Sequence, residues 1–189
     1  MKTRWLGTIL AISSLIVMLN NFRTAAIGTE PYSDTLGNVV YLLWGIGGVC
    51  GVIGLIRQNA LGTNAIARAV GLLPLLGFVA FILSSGLEVS GFLRLDDPLI
   101  MTLSGVAWAV MLAGMLVVGI LTIAARTWNG WRRFIPLVAV VMFPVALGIA
   151  QTVGSLYVGA FFGYAPWVLL GYVIATAETA PALRQSVMA

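Results

Sequence analysis

The chain has 189 residues, 60% of them hydrophobic and only 8% charged, with a mean hydropathy of +1.04. A water-soluble domain carries charge on about a quarter of its residues, so a soluble globular fold is excluded. The formal charge of +4 is expected to meet anionic lipid headgroups, not nucleic acid, because the arginines flank long apolar runs.

Six such runs follow one another, each near the ~20 residues that cross a ~30 Å hydrocarbon core. The first extends from Trp5 to about Phe22, the second from Val39 to Ile56, and the third from about Ala67 to Val89. The fourth covers Leu99 to Ala125, the fifth Phe134 to Ala150, and the sixth about Ser155 to Ala177. The fourth is the longest and is expected to tilt. The turn Gln151-Thr152-Val153-Gly154 ties the fifth and sixth into an antiparallel hairpin. The expected fold is all-α: one polytopic transmembrane helical bundle over residues 1–189, with six spans.

Alternate loops differ in charge. One side receives Lys2, Arg4, Arg57, Arg68, Arg126, Arg132, Arg133 and Arg184, and the other only Arg23 and Arg94. The second side also carries Glu30, Asp34, Glu88, Asp96 and Asp97. The positive-inside bias predicts that both termini are cytoplasmic, in a cell membrane of the prokaryotic inner-membrane kind. Met1-Lys2-Thr3-Arg4 before an apolar run resembles a secretory signal. The bulky, charged Asn20–Arg23 segment argues against cleavage, so the run is expected to stay as an anchor.

The loops leave little room for a second domain. Gly28 and Pro31 mark turns in the longest, Arg23 to Gly37. Thr127–Arg133 mixes tryptophans with arginines, as interfacial anchoring requires. The second, fourth and sixth runs each carry a tryptophan, Trp44, Trp108 and Trp167. The third and fifth carry Leu73-Pro74-Leu75 and Ile135-Pro136-Leu137, a weak internal echo of a repeated hairpin. Small residues four apart mark helix-packing stripes: Gly47 and Gly51; Gly105, Ala109 and Ala113; Gly159 and Gly163. Such stripes serve contacts within one protomer, or with a membrane partner or a second copy.

Two places are candidate sites. Pro144 and Pro166 are each eleven residues from Ser155, so both kinks are expected at one depth near the midplane, with Tyr164 and the serines Ser13 and Ser14 close by. Carbonyls freed by proline inside a bilayer must find a partner or line a wet cavity. The second is Glu88 with Ser84, Ser85 and Ser90 at the end of the third run. Asn20, Asn21, Thr102, Ser104 and Gln151 lie at similar depth and would complete a polar vestibule. A carboxylate there must be solvated or paired: Glu88 would bind a cation or protonated amine or take up a proton, or else reach water or pair with Arg94, six residues on.

Elimination limits the chemistry. The chain has no histidine, so no His-ligated haem or zinc and no Ser–His dyad is expected. Lys2 is the only lysine and Cys50 the only cysteine, which removes an intramembrane Schiff base, an intrachain disulfide and dithiol redox work. No phosphate-cradling glycine loop with lysine is present. No cofactor and no enzymatic turnover are expected; a lipid-acting chemistry would have to rest on Glu88 or the arginines. Size and a six-helix layout with both ends inside are similar to the substrate-capturing subunits of energy-coupling-factor vitamin importers. That likeness is architectural, since Ala11 and Leu15 occupy the four-residue spacing in the first run. The leading expectation is a non-catalytic accessory or structural subunit of a membrane assembly. The alternative is a transporter or membrane substrate-binding protein using Glu88 or the Pro144/Pro166 kinks.

Overall fold

A computed structural model of the protein describes residues 2–29, 34–92 and 97–177. Every regular element there is helical: α1 (Thr3–Ile27), α2 (Thr35–Arg57), α3 (Ala65–Val70), α4 (Leu73–Val89), α5 (Pro98–Ala125), α6 (Ile135–Val153) and α7 (Leu156–Thr176), with a 3₁₀ segment over Gly130–Phe134. Counting α3 with α4, and the 3₁₀ segment with α6, six helices are long and apolar enough to cross a membrane. Large apolar side chains stand exposed along them, among them Ile12, Leu19, Leu76, Leu83, Val106, Ile120 and Leu147. Apolar surface of this extent marks a membrane-facing or protein-contact surface. The fold is compatible with a multi-pass membrane protein.

The helix ends follow local chemistry. α1 runs five residues beyond the apolar stretch because its polar side chains bond to their own helix: Asn21 Nδ2 donates to the Val17 carbonyl at 2.8 Å, and Thr24 Oγ1 to that of Asn21 at 3.1 Å. It ends at Gly28, whose φ of 69° is the left-handed cap that glycine tolerates. Asp34 caps α2 by accepting from Gly37 N at 2.7 Å, and Asp97 caps α5 by accepting from Leu99 N at 2.8 Å. The expected third run is broken. Pro74 lacks an N–H and its ring clashes with the preceding turn, so α3 stops at Val70 and α4 restarts with the proline in its first turn. The expected Gln151–Gly154 turn is shorter, because residues 151–153 remain helical and Gly154, at φ 70°, makes the cap.

The six spans form a closed ring. Each packs on its sequence neighbours, and α7 closes on α1 in the most extensive interface of the bundle. That interface rests on small residues four apart on both antiparallel helices. A Cβ added to Gly7 would meet the backbone of Gly171 and Ala175, and one added to Gly171 would meet Ala11 and Gly7. Backbones this close gain dispersion that lipid cannot replace. Gly47 faces Ser13, and Gly51 faces Leu10, where an added Cβ would stand 2.6 Å from Cδ2. Gly159 and Gly163 face α6 through Ala150 and Phe143. The Gly105, Ala109 and Ala113 stripe points outward, and a Cβ on Gly105 would meet nothing within 4 Å. Within the protomer α5 packs instead through Gly114 against Pro74 and Gly119 against Leu137.

The middle of the ring is filled with aromatic rings. Trp44, Trp108 and Trp167, from the three helices that share one direction, converge there. Trp44 stacks on Trp108 with centroids 5.5 Å apart, and meets Trp167 edge-on at 5.5 Å. Phe78, Phe81 and Phe143 complete the plug. Edge-to-face and offset pairs of this kind add about 0.5–1.5 kcal/mol each beyond buried area. The surroundings are so apolar that the Trp44 and Trp167 indole nitrogens make no hydrogen bond with the described residues.

Candidate functional site

Toward the end of the ring where α1 stops and α2 begins, the aromatic plug gives way to a cavity of about 310 Å³. Asn21 and Thr24 of α1, Tyr41 of α2, Phe143, Leu147 and Ala150 of α6, and Leu156, Gly159, Ala160, Gly163 and Tyr164 of α7 line it. The space exists because the facing positions of α6 and α7 are alanine and glycine where the plug has indole. Its volume falls at the small end of the ~300–1,000 Å³ typical of ligand pockets.

One wall is polar and internally bonded. Asn21 Nδ2 donates to the Val17 carbonyl at 2.8 Å and to Tyr41 Oη at 2.9 Å. Tyr41 Oη donates to Asn21 Oδ1 at 3.2 Å, and Tyr164 Oη to Tyr41 Oη at 3.2 Å. Tyr41 and Tyr164 are both buried, 2% and 4% exposed, and a phenol at that depth needs such partners. Asn21 lies six residues before the end of α1, and Tyr41 six after the start of α2. At 1.5 Å per residue both sit about 9 Å below the helix ends. Packing fixes the phenol rings: Tyr164 stands edge-on to Phe143 at 5.7 Å and to Trp44 at 5.8 Å.

Among the described residues, no charged side chain lines the cavity. The nearest charges along α1 and α2 neutralise one another: Arg23 reaches Asp34 at 2.8 Å and also donates to Asn20 Oδ1 at 3.0 Å. The Gly37 N–H, and after it the Arg23 guanidinium, hold the Asp34 carboxyl below its ordinary value of 3.8.

Of the residues singled out in the sequence, Tyr164 is in the cavity wall and Asn21 beside it. Ser84 and Ser85 are buried on α4, with Ser84 Oγ donating to the Phe81 carbonyl at 2.9 Å. Glu88 is half-buried further along α4, a helix that contributes nothing to the cavity. Gln151 and Pro144 are exposed. Thr102 bonds back to the Pro98 carbonyl at 2.7 Å, and Ser13 to that of Leu10 at 3.1 Å. Arg94, the expected partner of Glu88, lies outside the described residues, as do Glu30, Asp96 and Arg184.

Tyr41, Thr24, Phe143, Leu147, Ala150 and Ala160 were not singled out by sequence. Tyr41 was within reach of the counting applied to the prolines, since it and Asn21 are equally far from the α1–α2 connection. No protein-family model matches the chain, and neither does any curated protein or solved structure.

Proposed function

We propose that this protein binds a small molecule inside the membrane, as a transporter or a membrane substrate-binding protein. One observation carries the reading: the ring is packed solid with indoles in its middle but hollow beside a hydrogen-bonded polar wall. Convergent polar groups in a mostly apolar pocket are what fixes a ligand's orientation. By the charge bias of the loops, the cavity faces the extracytoplasmic side of the cell membrane.

The test is native mass spectrometry of the protein extracted from its own membrane in mild detergent. A protomer carrying a reproducible small-molecule mass, absent from a Gly163→Leu variant whose cavity is filled, is the expected result. A ligand-free chain with further protein subunits at fixed stoichiometry would overturn the reading. That outcome would favour the accessory-subunit function, whose support is the outward stripe of Gly105, Ala109 and Ala113. Such a surface lets a neighbouring helix approach closely.

A further inference from the structure

From the seam between α5 and α6 we infer that the cavity is entered sideways from the lipid of its own leaflet, and that the ligand is a bilayer-dissolved molecule bringing a hydrocarbon chain into the ring. This inference rests on the binding function proposed above and adds the route and the chemistry of the ligand.

The seam is closed at one end and open at the other. Far from the cavity, a Cβ added to Gly119 of α5 would stand 2.7 Å from the Leu137 Cα of α6. Nearer to it, Trp108 and Phe143 join the two helices again, stacked with centroids 4.8 Å apart. Beyond that stack come Gly105, fourteen residues from Gly119, and Gly148, eleven from Leu137. Spacings of seven and eleven return to one helix face, so both glycines stand on the faces that meet further down. Yet a Cβ on either would meet nothing within 4 Å among the described residues. Pro144, one turn before Gly148, deprives α6 of a backbone donor where the contact ends. The other seams bordering the cavity are filled. Asn21 bonds Tyr41 across α1 and α2, Phe22 meets Tyr157 across α1 and α7 with centroids 6.0 Å apart, and a Cβ on Gly159 would stand 2.8 Å from that of Ala150 across α7 and α6.

Leu147 marks the opening, since it lines the cavity and is nevertheless 51% exposed. α6 has 19 residues, about 28 Å at 1.5 Å each, which matches a ~30 Å hydrocarbon core. Leu147, six residues before its end, therefore stands about 9 Å inside the hydrocarbon, where acyl chains reach the opening and water does not. Leu156, also lining and exposed, is the first residue of α7 and carries the slot up to the membrane surface. A chain lying along the helices keeps its polar end at that surface while its body turns in past Leu147.

The test uses hexadecanol carrying a diazirine midway along its chain, irradiated shortly after addition to the full chain in lipid nanodiscs, with adducts located by peptide mass spectrometry. Adducts are expected at Ala160 and Tyr164, which line the cavity and are each 4% exposed, besides those on outward residues such as Leu76 and Leu83. A double variant, Gly105→Trp with Gly148→Trp, fills the slot without touching the cavity lining, and should remove the inner adducts while the outer ones persist. Gly163→Leu should remove the inner adducts too. Inner adducts that survive the double variant but not Gly163→Leu would overturn the sideways route and leave the cavity as the site. Inner adducts unchanged by Gly163→Leu would overturn the cavity reading itself. A dimer in the same nanodiscs, dissociated by Gly105→Trp, would put a second copy in the slot and overturn the lipid route. Adducts on the outer residues alone in the native chain would overturn the inference, with the native mass measurement then deciding the site.

Discussion

The two regions of the ring interior draw on overlapping sets of helices and solve opposite problems: α1, α2, α6 and α7 line the cavity, while α2, α4, α5, α6 and α7 supply the plug. In the middle, Trp44, Trp108 and Trp167 fill the space so completely that two indole N–H groups find no partner among the described residues. Toward the end where α1 stops, small residues leave about 310 Å³ open beside a chain of hydrogen bonds running from Tyr164 to Val17, with Thr24 bonded to the Asn21 carbonyl next to it. The lesson is that hollowness and polar satisfaction go together. A cavity wall can hold hydroxyls and an amide at depth because they bond to one another, whereas the plug relies on area and ring geometry.

Trp44→Ala is the largest blow to this contrast. Deleting an indole from the plug should lower stability by about 3–5 kcal/mol, while Leu147→Ala at the cavity wall should cost under about 1 kcal/mol. Reversible unfolding in mixed detergent micelles compares them, and equal costs would abolish the distinction between filled and hollow halves. Tyr41→Phe comes next. It removes the joint of the polar chain while keeping the ring, and should cost about 1–2 kcal/mol in the same assay. An unchanged stability would mean that the chain contributes nothing to the wall.

A smaller effect concerns the ion pair above that wall. Asp34 has a depressed folded pKa, so its contribution is present above the unfolded value and is lost as pH falls through the folded one. The stability difference between the native chain and Asp34→Asn should therefore stay level from neutral pH down toward 3.8 and disappear below it. A difference that fades nearer neutrality would break the assignment. The smallest effect is expected at Gly105→Leu, on the outer face: a change within about 0.5 kcal/mol for the isolated protomer. If a defined assembly is seen by native mass spectrometry, loss of that assembly in the same variant would place the partner on the α5 stripe.

The broad architecture was legible because hydropathy run length and proline placement are one-dimensional signals. Six spans, the hairpin at Ser155 and the packing side of Gly47, Gly51, Gly159 and Gly163 all follow from spacing. What spacing cannot say is which of several faces a helix turns inward. Gly105, Ala109 and Ala113 have the same pattern as Gly47 and Gly51, yet lie on the outer face, because α5 is rotated by Pro74 and Leu137 seating on Gly114 and Gly119. The strongest seam, Gly7 and Ala11 on Gly171 and Ala175, joins the first span to the last, a pairing with no trace in local sequence. Tyr164, singled out beside the kinks, lines the cavity, whereas Glu88, singled out for its burial cost, lies on α4, which the ring order puts away from the cavity.

Closure of the first span on the last has a consequence for biogenesis. While the chain is being synthesised, the Gly7 face of α1 stays uncovered until α7 emerges, five spans later. A nascent chain lacking α7 therefore has neither the cavity wall that α7 supplies nor the α1 seam. Because α1 begins and α7 ends on the same side of the ring, joining them through a short linker and opening the chain between α1 and α2 should yield a permuted protein in which that seam forms early.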